Sequence, residues 1–121
     1  MSNVKFNYLY RDASNFKKYA CVIFSNPFNV KPEAISKSFE EAFWTDGLFI
    51  AHQIRIPEVF LFAKGDISID DHCFHEFDSV ELASDGPTDS QGRSIKDFVT
   101  EVRNAAKKGW QIFDPLERLD S

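Results

Sequence analysis

The sequence has little or none of several features that would assign it to a common class of protein. It contains only two cysteines and one methionine, and two cysteines cannot build the disulfide framework of a small secreted domain. No apolar run reaches the roughly 20 residues of a membrane-spanning helix. The opening "MSNVKFNYLY" lacks the basic stretch and apolar core of a secretory signal. We therefore expect a cytoplasmic protein with reduced thiols and no membrane association.

Familiar catalytic motifs are missing as well. The chain has no Gly-x-Ser-x-Gly motif, no phosphate-binding P-loop and no glycine-rich dinucleotide turn. Its formal net charge is −5, which argues against a general nucleic-acid surface because such surfaces need clustered Lys and Arg. An acidic balance is compatible with docking onto a basic partner. These absences favour a binding protein over an enzyme, with no cofactor.

Phenylalanine, by contrast, is abundant. Thirteen of the 121 residues are Phe, which predicts a core of rigid aromatic rings, each burying a large area. Rings that remain on the surface would mark a contact patch. The length fits one ordinary domain, so we expect residues 1–121 to form a single domain.

Hydrophobic periodicity predicts the order of secondary structure. Alternating or apolar segments predict strands at 4–11, 19–25, 48–56 and 74–82, with a further strand or a packed turn at 59–63. Helical spacing predicts helices at 32–44 and 95–108, the second with a capping box of Ser94 and Asp97 and a terminal Gly109. The order predicts an α+β fold with two layers, a mostly antiparallel sheet of four to five strands and two helices on one face.

The stretch "DDHCFHEFD" (70–78) gathers acids, histidines and a cysteine, which are the usual ligands of a divalent metal such as Zn or Mn. On a strand, His72, Glu76 and Asp78 share one face and His75 takes the other; in a helical turn, His72, His75 and Glu76 meet. A metal-dependent hydrolase or nuclease using His72, His75, Glu76 and Asp78 is therefore one hypothesis. The alternative is a solvated acidic strand.

A second dense stretch is "YLYRDASNFKKY" (8–19), which could form a polar recognition edge. Arg11 suits bidentate pairing with a carboxylate, either on a partner or on the acidic strand of this chain. Aromatic residues beside Arg and Lys can also stack nucleic-acid bases, which gives a weaker hypothesis for Tyr8, Tyr10, Arg11 and Lys17. The simpler alternative is a hairpin turn in which Asp12 and Asn15 bond the backbone.

The segments "YLYRDASNFKKY", "VIFSNP", "HEFDSVE" and "PTD", in this order, resemble a family of small bacterial proteins of uncharacterised function with the pattern YRDxxN…FSNP…HEFDSxE. The resemblance covers most of the chain and implies a bacterial or phage setting. It transfers no activity, and it points to Arg11, Asp12, His75 and Glu76.

These observations favour a protein–protein interaction or regulatory module. Its contact surface would combine exposed aromatic residues with the acids of residues 70–81. An exposed edge strand in the N-terminal hairpin leaves a homodimer open. The candidate binding residues are Tyr8, Tyr10, Arg11, Asp12, His75, Glu76 and Asp78.

Overall fold

The computed structural model describes residues 2–12, 15–60 and 72–114. Strands β1 (Asn3–Arg11), β2 (Lys17–Phe24), β3 (Leu48–Phe49) and β4 (His75–Ala83) form an antiparallel sheet with the order β2-β1-β4-β3. The sheet curls into a half-barrel, and helices α1 (Pro32–Ala42) and α2 (Ile95–Lys108) pack against it. The predicted α+β class is confirmed. None of the helices in these residue ranges is long and apolar enough to cross a membrane.

Strand β1 lies in the interior of the sheet and turns one face toward the core. Val4, Phe6 and Tyr8 are buried in the core, as their spacing predicts. On the opposite face, the Nζ atom of Lys5 lies 3.7 Å from the carboxylate of Glu81 on β4. The strand pairs with β2 on one side and with β4 on the other.

The core is largely aromatic, as the composition predicts. The rings of Phe24 and Phe98 stack with centroids 4.2 Å apart. Phe6 contacts Phe39 edge-on at 5.1 Å and Phe98 edge-on at 5.3 Å. These contacts join β1 and β2 to α1 and α2, and such ring pairs contribute about 0.5–1.5 kcal/mol each beyond the area they bury.

Helix α2 begins and ends where the sequence predicts. The Ser94 hydroxyl accepts a hydrogen bond from the Asp97 N–H at 3.1 Å, and the Asp97 carboxylate accepts one from the Ser94 N–H at 3.4 Å. This reciprocal pair is a capping box. Gly109 follows the helix with a φ of 94°, a conformation that favours glycine. Helix α1 ends slightly earlier than predicted, because Phe43 is extended and turns into the core.

Residues 48–56 were predicted as one strand and instead form two elements. Only Leu48–Phe49 pairs with β4, and Ala51–Ile54 forms a 3₁₀ turn followed by Arg55 in a left-handed conformation. Positions three apart lie on the same side of a 3₁₀ turn, so the turn buries both Ala51 and Ile54. Residues 59–60 are not in a strand, and residues 61–63 lie outside the described part.

The chain after α2 docks only in part. Trp110 is buried, and its Nε1–H donates to the Ala42 carbonyl at 3.1 Å. Phe113 packs against the core. Ile112, between these two residues, is exposed.

A buried arginine ties the loop before α2 to the rest of the core. The Arg93 guanidinium donates to Asp89 at 2.8 Å, to Glu101 at 2.9 Å and to the Ile54 carbonyl at 2.7 Å. It also lies over the Phe98 ring, 5.0 Å from its centroid. Burial alone would raise the pKa of Asp89, but the hydrogen bonds and charge of Arg93 outweigh it, so the pKa is lowered. No role for this loop was predicted from the sequence.

Candidate functional site

A β-bulge interrupts strand β4 at Asp78. Asn7 pairs with Ser79 and Tyr8 with Phe77, so Asp78 is an extra residue without a partner on β1. The bulge resets the alternation of the strand. Phe77 before it and Val80 after it both pack against the core, while Asp78 is exposed. The predicted alternation therefore holds from His75 to Asp78 and shifts by one residue after Asp78.

His75 lies inside the core and is not on a binding surface. It is fully buried, with Tyr10 and Phe60 among its ring neighbours. Its Nε2 atom accepts a hydrogen bond from the Val59 N–H at 2.9 Å, so the proton of the neutral ring is on Nδ1, which has no hydrogen-bond partner among the described residues. Burial, with a smaller effect from His72, lowers the pKa of His75 to about 4. The imidazole is therefore neutral at physiological pH.

Both ring nitrogens of His72 are hydrogen-bonded to backbone groups. Its Nδ1 atom accepts from the Phe74 N–H at 3.1 Å, so its Nε2–H is the donor to the Arg11 carbonyl at 2.7 Å. A metal ion could bind either nitrogen only by displacing one of these bonds. The imidazole instead fixes the chain at residues 72–74 against the end of β1.

Tyr8 and Tyr10 were expected on the contact surface, but both side chains are fully buried. The Tyr8 hydroxyl donates to the Pro57 carbonyl at 2.7 Å, and the Tyr10 hydroxyl donates to the His72 carbonyl at 2.9 Å. Burial raises the pKa of Tyr8. Neither ring can stack on a nucleic-acid base in this fold. Together with the two histidines, the tyrosines hold the segments 57–59 and 72–74, which flank the undescribed residues 61–71.

Arg11 and Glu76 form a bidentate ion pair across β1 and β4. The Nε and Nη2 atoms of Arg11 lie 3.3 Å and 3.0 Å from the two carboxylate oxygens of Glu76. The Nη1 atom donates to the Asn15 side-chain carbonyl at 2.5 Å. Asp12 accepts a hydrogen bond from the Phe16 N–H at 2.9 Å, as a turn residue does. Arg11 thus pairs with the acidic strand of its own chain, which was one of the two alternatives.

The proposed metal ligands do not share a site. His75 points into the core, His72 bonds the backbone of β1, Glu76 holds Arg11, and Asp78 accepts a hydrogen bond from the Ser79 hydroxyl at the exposed bulge. In the described ranges no group of three or more His, Cys, Asp or Glu side chains could hold a metal ion. Asp70 and Asp71 lie outside those ranges. Among the described residues, no set of side chains therefore supports the metal hypothesis.

Strand β2 forms one edge of the sheet, and the two halves of this edge differ in whether their outward backbone groups are hydrogen-bonded. At the C-terminal half, the Ile23 N–H donates to the Thr88 hydroxyl at 2.8 Å, and the Ile23 carbonyl accepts from the Thr88 N–H at 2.8 Å. Backbone groups alternate sides along a strand, so those of Lys17, Tyr19 and Cys21 point to the same open side. No hydrogen bond within the described residues covers them. Within residues 2–12, 15–60 and 72–114, the N-terminal half of β2 therefore has an unpaired edge.

Exposed aromatic rings lie beside this unpaired edge. Phe16 is 68% exposed and Tyr19 is 62% exposed. Lys17, Lys18 and Cys21 are also exposed, and Ala20 is half-buried. We call residues 16–21 the open edge. The edge strand in this hairpin and Lys17 were predicted from the sequence, but Phe16, Tyr19 and Cys21 were not predicted as contact residues. The polar character of "NFKKY" (15–19) before the apolar "ACVIF" (20–24) was the signal.

No protein-family model, curated protein or solved structure matches this chain. The resemblance to a family of small bacterial proteins stays a prediction.

Proposed function

We propose that the domain is a protein-binding module whose contact surface is the open edge of β2. The observation that carries the proposal is the row of backbone groups at Lys17, Tyr19 and Cys21, which no other described residue hydrogen-bonds, next to the exposed rings of Phe16 and Tyr19. A partner strand can hydrogen-bond to such a row, and neighbouring side chains then determine which partner binds. Aromatic residues are enriched among those that dominate binding energy.

The other edge of the sheet is less suited to a partner. Strand β3 has only the residues Leu48–Phe49, and very short edge strands are a common means of avoiding intermolecular pairing. The C-terminal half of β2 is covered by Thr88. The open edge is therefore where an added strand would meet the fewest obstacles in the described part of the fold.

A pull-down with an edge-blocking variant tests the proposal. Tyr19→Pro removes an N–H that faces the open side, so the ladder with β1 is kept and the edge can no longer donate there. Phe28→Ala is the matched control, because Phe28 is 65% exposed but lies against Lys96 of α2, away from the open edge. Thermal melts establish that both variants fold.

We expect one and the same protein from an extract of the native host to bind the wild type and Phe28→Ala and to be lost with folded Tyr19→Pro. A photo-reactive phenylalanine at position 16, but not at position 28, should cross-link to that protein. Equal retention by Tyr19→Pro, or no retained protein at all, would contradict the proposal.

A further inference from the structure

We infer that the partner contributes an extended acidic segment, which adds antiparallel to β2 as an outer strand of the sheet. The inference depends on the proposed function of the open edge and goes further by stating the chemistry of the occupant. It follows from the charge and the side-chain directions of residues 17–21.

The open edge is a local basic patch on an acidic protein. Strand β2 has the sequence KKYACVIF, which contains no acid, although the chain carries a net charge of −5. The neighbouring cations on β1 are matched within the sheet, because Lys5 pairs with Glu81 and Arg11 with Glu76. In the described residues no carboxylate lies within ion-pair distance of Lys17 or Lys18. Complementary charge on a partner would stabilise its docking and exclude basic partners.

The directions of the side chains on β2 specify which positions of the partner strand should be acidic. Successive residues of a strand point to opposite faces, so Lys17 and Lys18 lie on different faces of the sheet. A partner strand needs acids at two adjacent positions to meet both. Tyr19 and Cys21 share the face of Lys17 and would pack against apolar or β-branched residues. Read in its own direction, an antiparallel partner has its apolar positions first and its adjacent acids after them.

A second copy of this chain fits the open edge less well. An isologous β2–β2 pair around Tyr19 would place Lys17 of each copy opposite Cys21 of the other. Both lysines of each copy would then lie in one interface without an acid from either strand. Lysine on an edge strand is a known device against such self-pairing. The charge therefore favours a different, acidic chain.

The experiment is a selection from a phage-displayed library of random peptides against the immobilised full chain. Peptides that also bind folded Tyr19→Pro are removed by counter-selection. Enriched peptides are then synthesised, and their affinities are measured by fluorescence anisotropy at low and at physiological salt. The same peptides are tested against the double variant Lys17→Glu/Lys18→Glu and against the control Lys37→Glu, which reverses an exposed lysine on α1.

We expect enriched peptides with adjacent Asp or Glu after β-branched or aromatic residues, and binding that weakens with salt. The double variant should lose about tenfold or more in affinity for them and should gain binding to the same peptides with Lys in place of the acids. Lys37→Glu should bind as the wild type does. This exchange of charge specificity would not result from a merely structural role of the lysines.

The inference would be overturned if the enriched peptides were neutral or basic, or if no peptide were enriched. Unchanged affinity of the peptides for the double variant would also overturn it. A concentration-dependent dimer that Tyr19→Pro abolishes would also overturn it, since the occupant would then be a second copy. The proposed function has its own readout, the cross-link from position 16 to a host protein. If that cross-link forms but acidic peptides do not bind, only the inferred chemistry of the partner is wrong. If neither the cross-link nor peptide binding is seen, the proposed binding site is wrong as well.

Discussion

Protonation of His75 should make the fold sensitive to mild acid. The pKa of His75 is lowered from 6.5 to about 4 by burial. Between these two values the unfolded chain binds a proton that the folded chain does not, so stability falls as the pH falls through the window. Above pH 6.5 the imidazole is neutral in both states and the penalty vanishes. One pKa unit corresponds to about 1.4 kcal/mol, so the full loss is about 3 kcal/mol.

The hydrogen bonds of His75 give a structural reason for this penalty. Its Nε2 atom accepts from the Val59 N–H at 2.9 Å, and an imidazolium has no acceptor nitrogen. Protonation would therefore replace that bond by two donors facing each other and would leave a charge among aromatic rings. A loss of about 3 kcal/mol is a large share of the 5–15 kcal/mol that stabilises a typical domain.

The assay is urea unfolding followed by tryptophan fluorescence from about pH 7.5 to about pH 4.5. His75→Gln keeps an acceptor for Val59 but does not titrate, so its free energy of unfolding should lose about 2.5 kcal/mol less than the wild type over this range, which ends just above the pKa of the folded state. Differences in absolute stability cancel in that comparison. Equal slopes for wild type and His75→Gln would refute the argument.

Two further predictions concern the buried arginine and the metal hypothesis. Arg93→Met leaves the carboxylate of Asp89 buried without its partner and should lower the free energy of unfolding, measured in urea, by about 3–5 kcal/mol. The double variant Asp89→Ala/Arg93→Met should lose less stability than the sum of the two single variants, and additive losses would contradict a coupled pair. Both nitrogens of His72 are hydrogen-bonded within the fold, and His75 is fully buried with its Nε2 atom bonded to Val59. Added Zn²⁺, Mn²⁺ or a chelator should therefore leave the melting temperature unchanged, and a rise of several degrees that is lost in His72→Gln would restore the metal site.

Local signals in the sequence were sufficient for much of the fold. The capping box at Ser94, the glycine after α2 and the alternation of Val4, Phe6 and Tyr8 each depend on neighbours within a few positions. The partial failure at 48–56 has a similar origin, because a short apolar run suits a strand and a 3₁₀ turn equally well until its packing partners are known.

The candidate site was harder to predict because its residues act over long sequence separations. The bulge at Asp78 is defined by the register against β1, far away in the chain. The Asp89–Arg93 spacing could be read as a local pair, but its burial depends on Ile54 and Phe98. A composition rich in His, Tyr and acids is typical both of reactive sites and of buried hydrogen-bond networks, and only the contacts distinguish the two.

The two halves of β2 differ, and the hydrogen bonds of the buried tyrosines Tyr8 and Tyr10 connect this difference to the proposed function. The C-terminal half is apolar, buried and closed by Thr88, whereas the N-terminal half is polar, exposed and open. The open half is nevertheless held in strand geometry, because Tyr10 and Tyr8 of β1, opposite Lys18 and Ala20, are fixed by their bonds to residues 72 and 57. A rigid template lowers the entropic cost of adding a partner strand. The buried tyrosines would then contribute to binding without touching the partner.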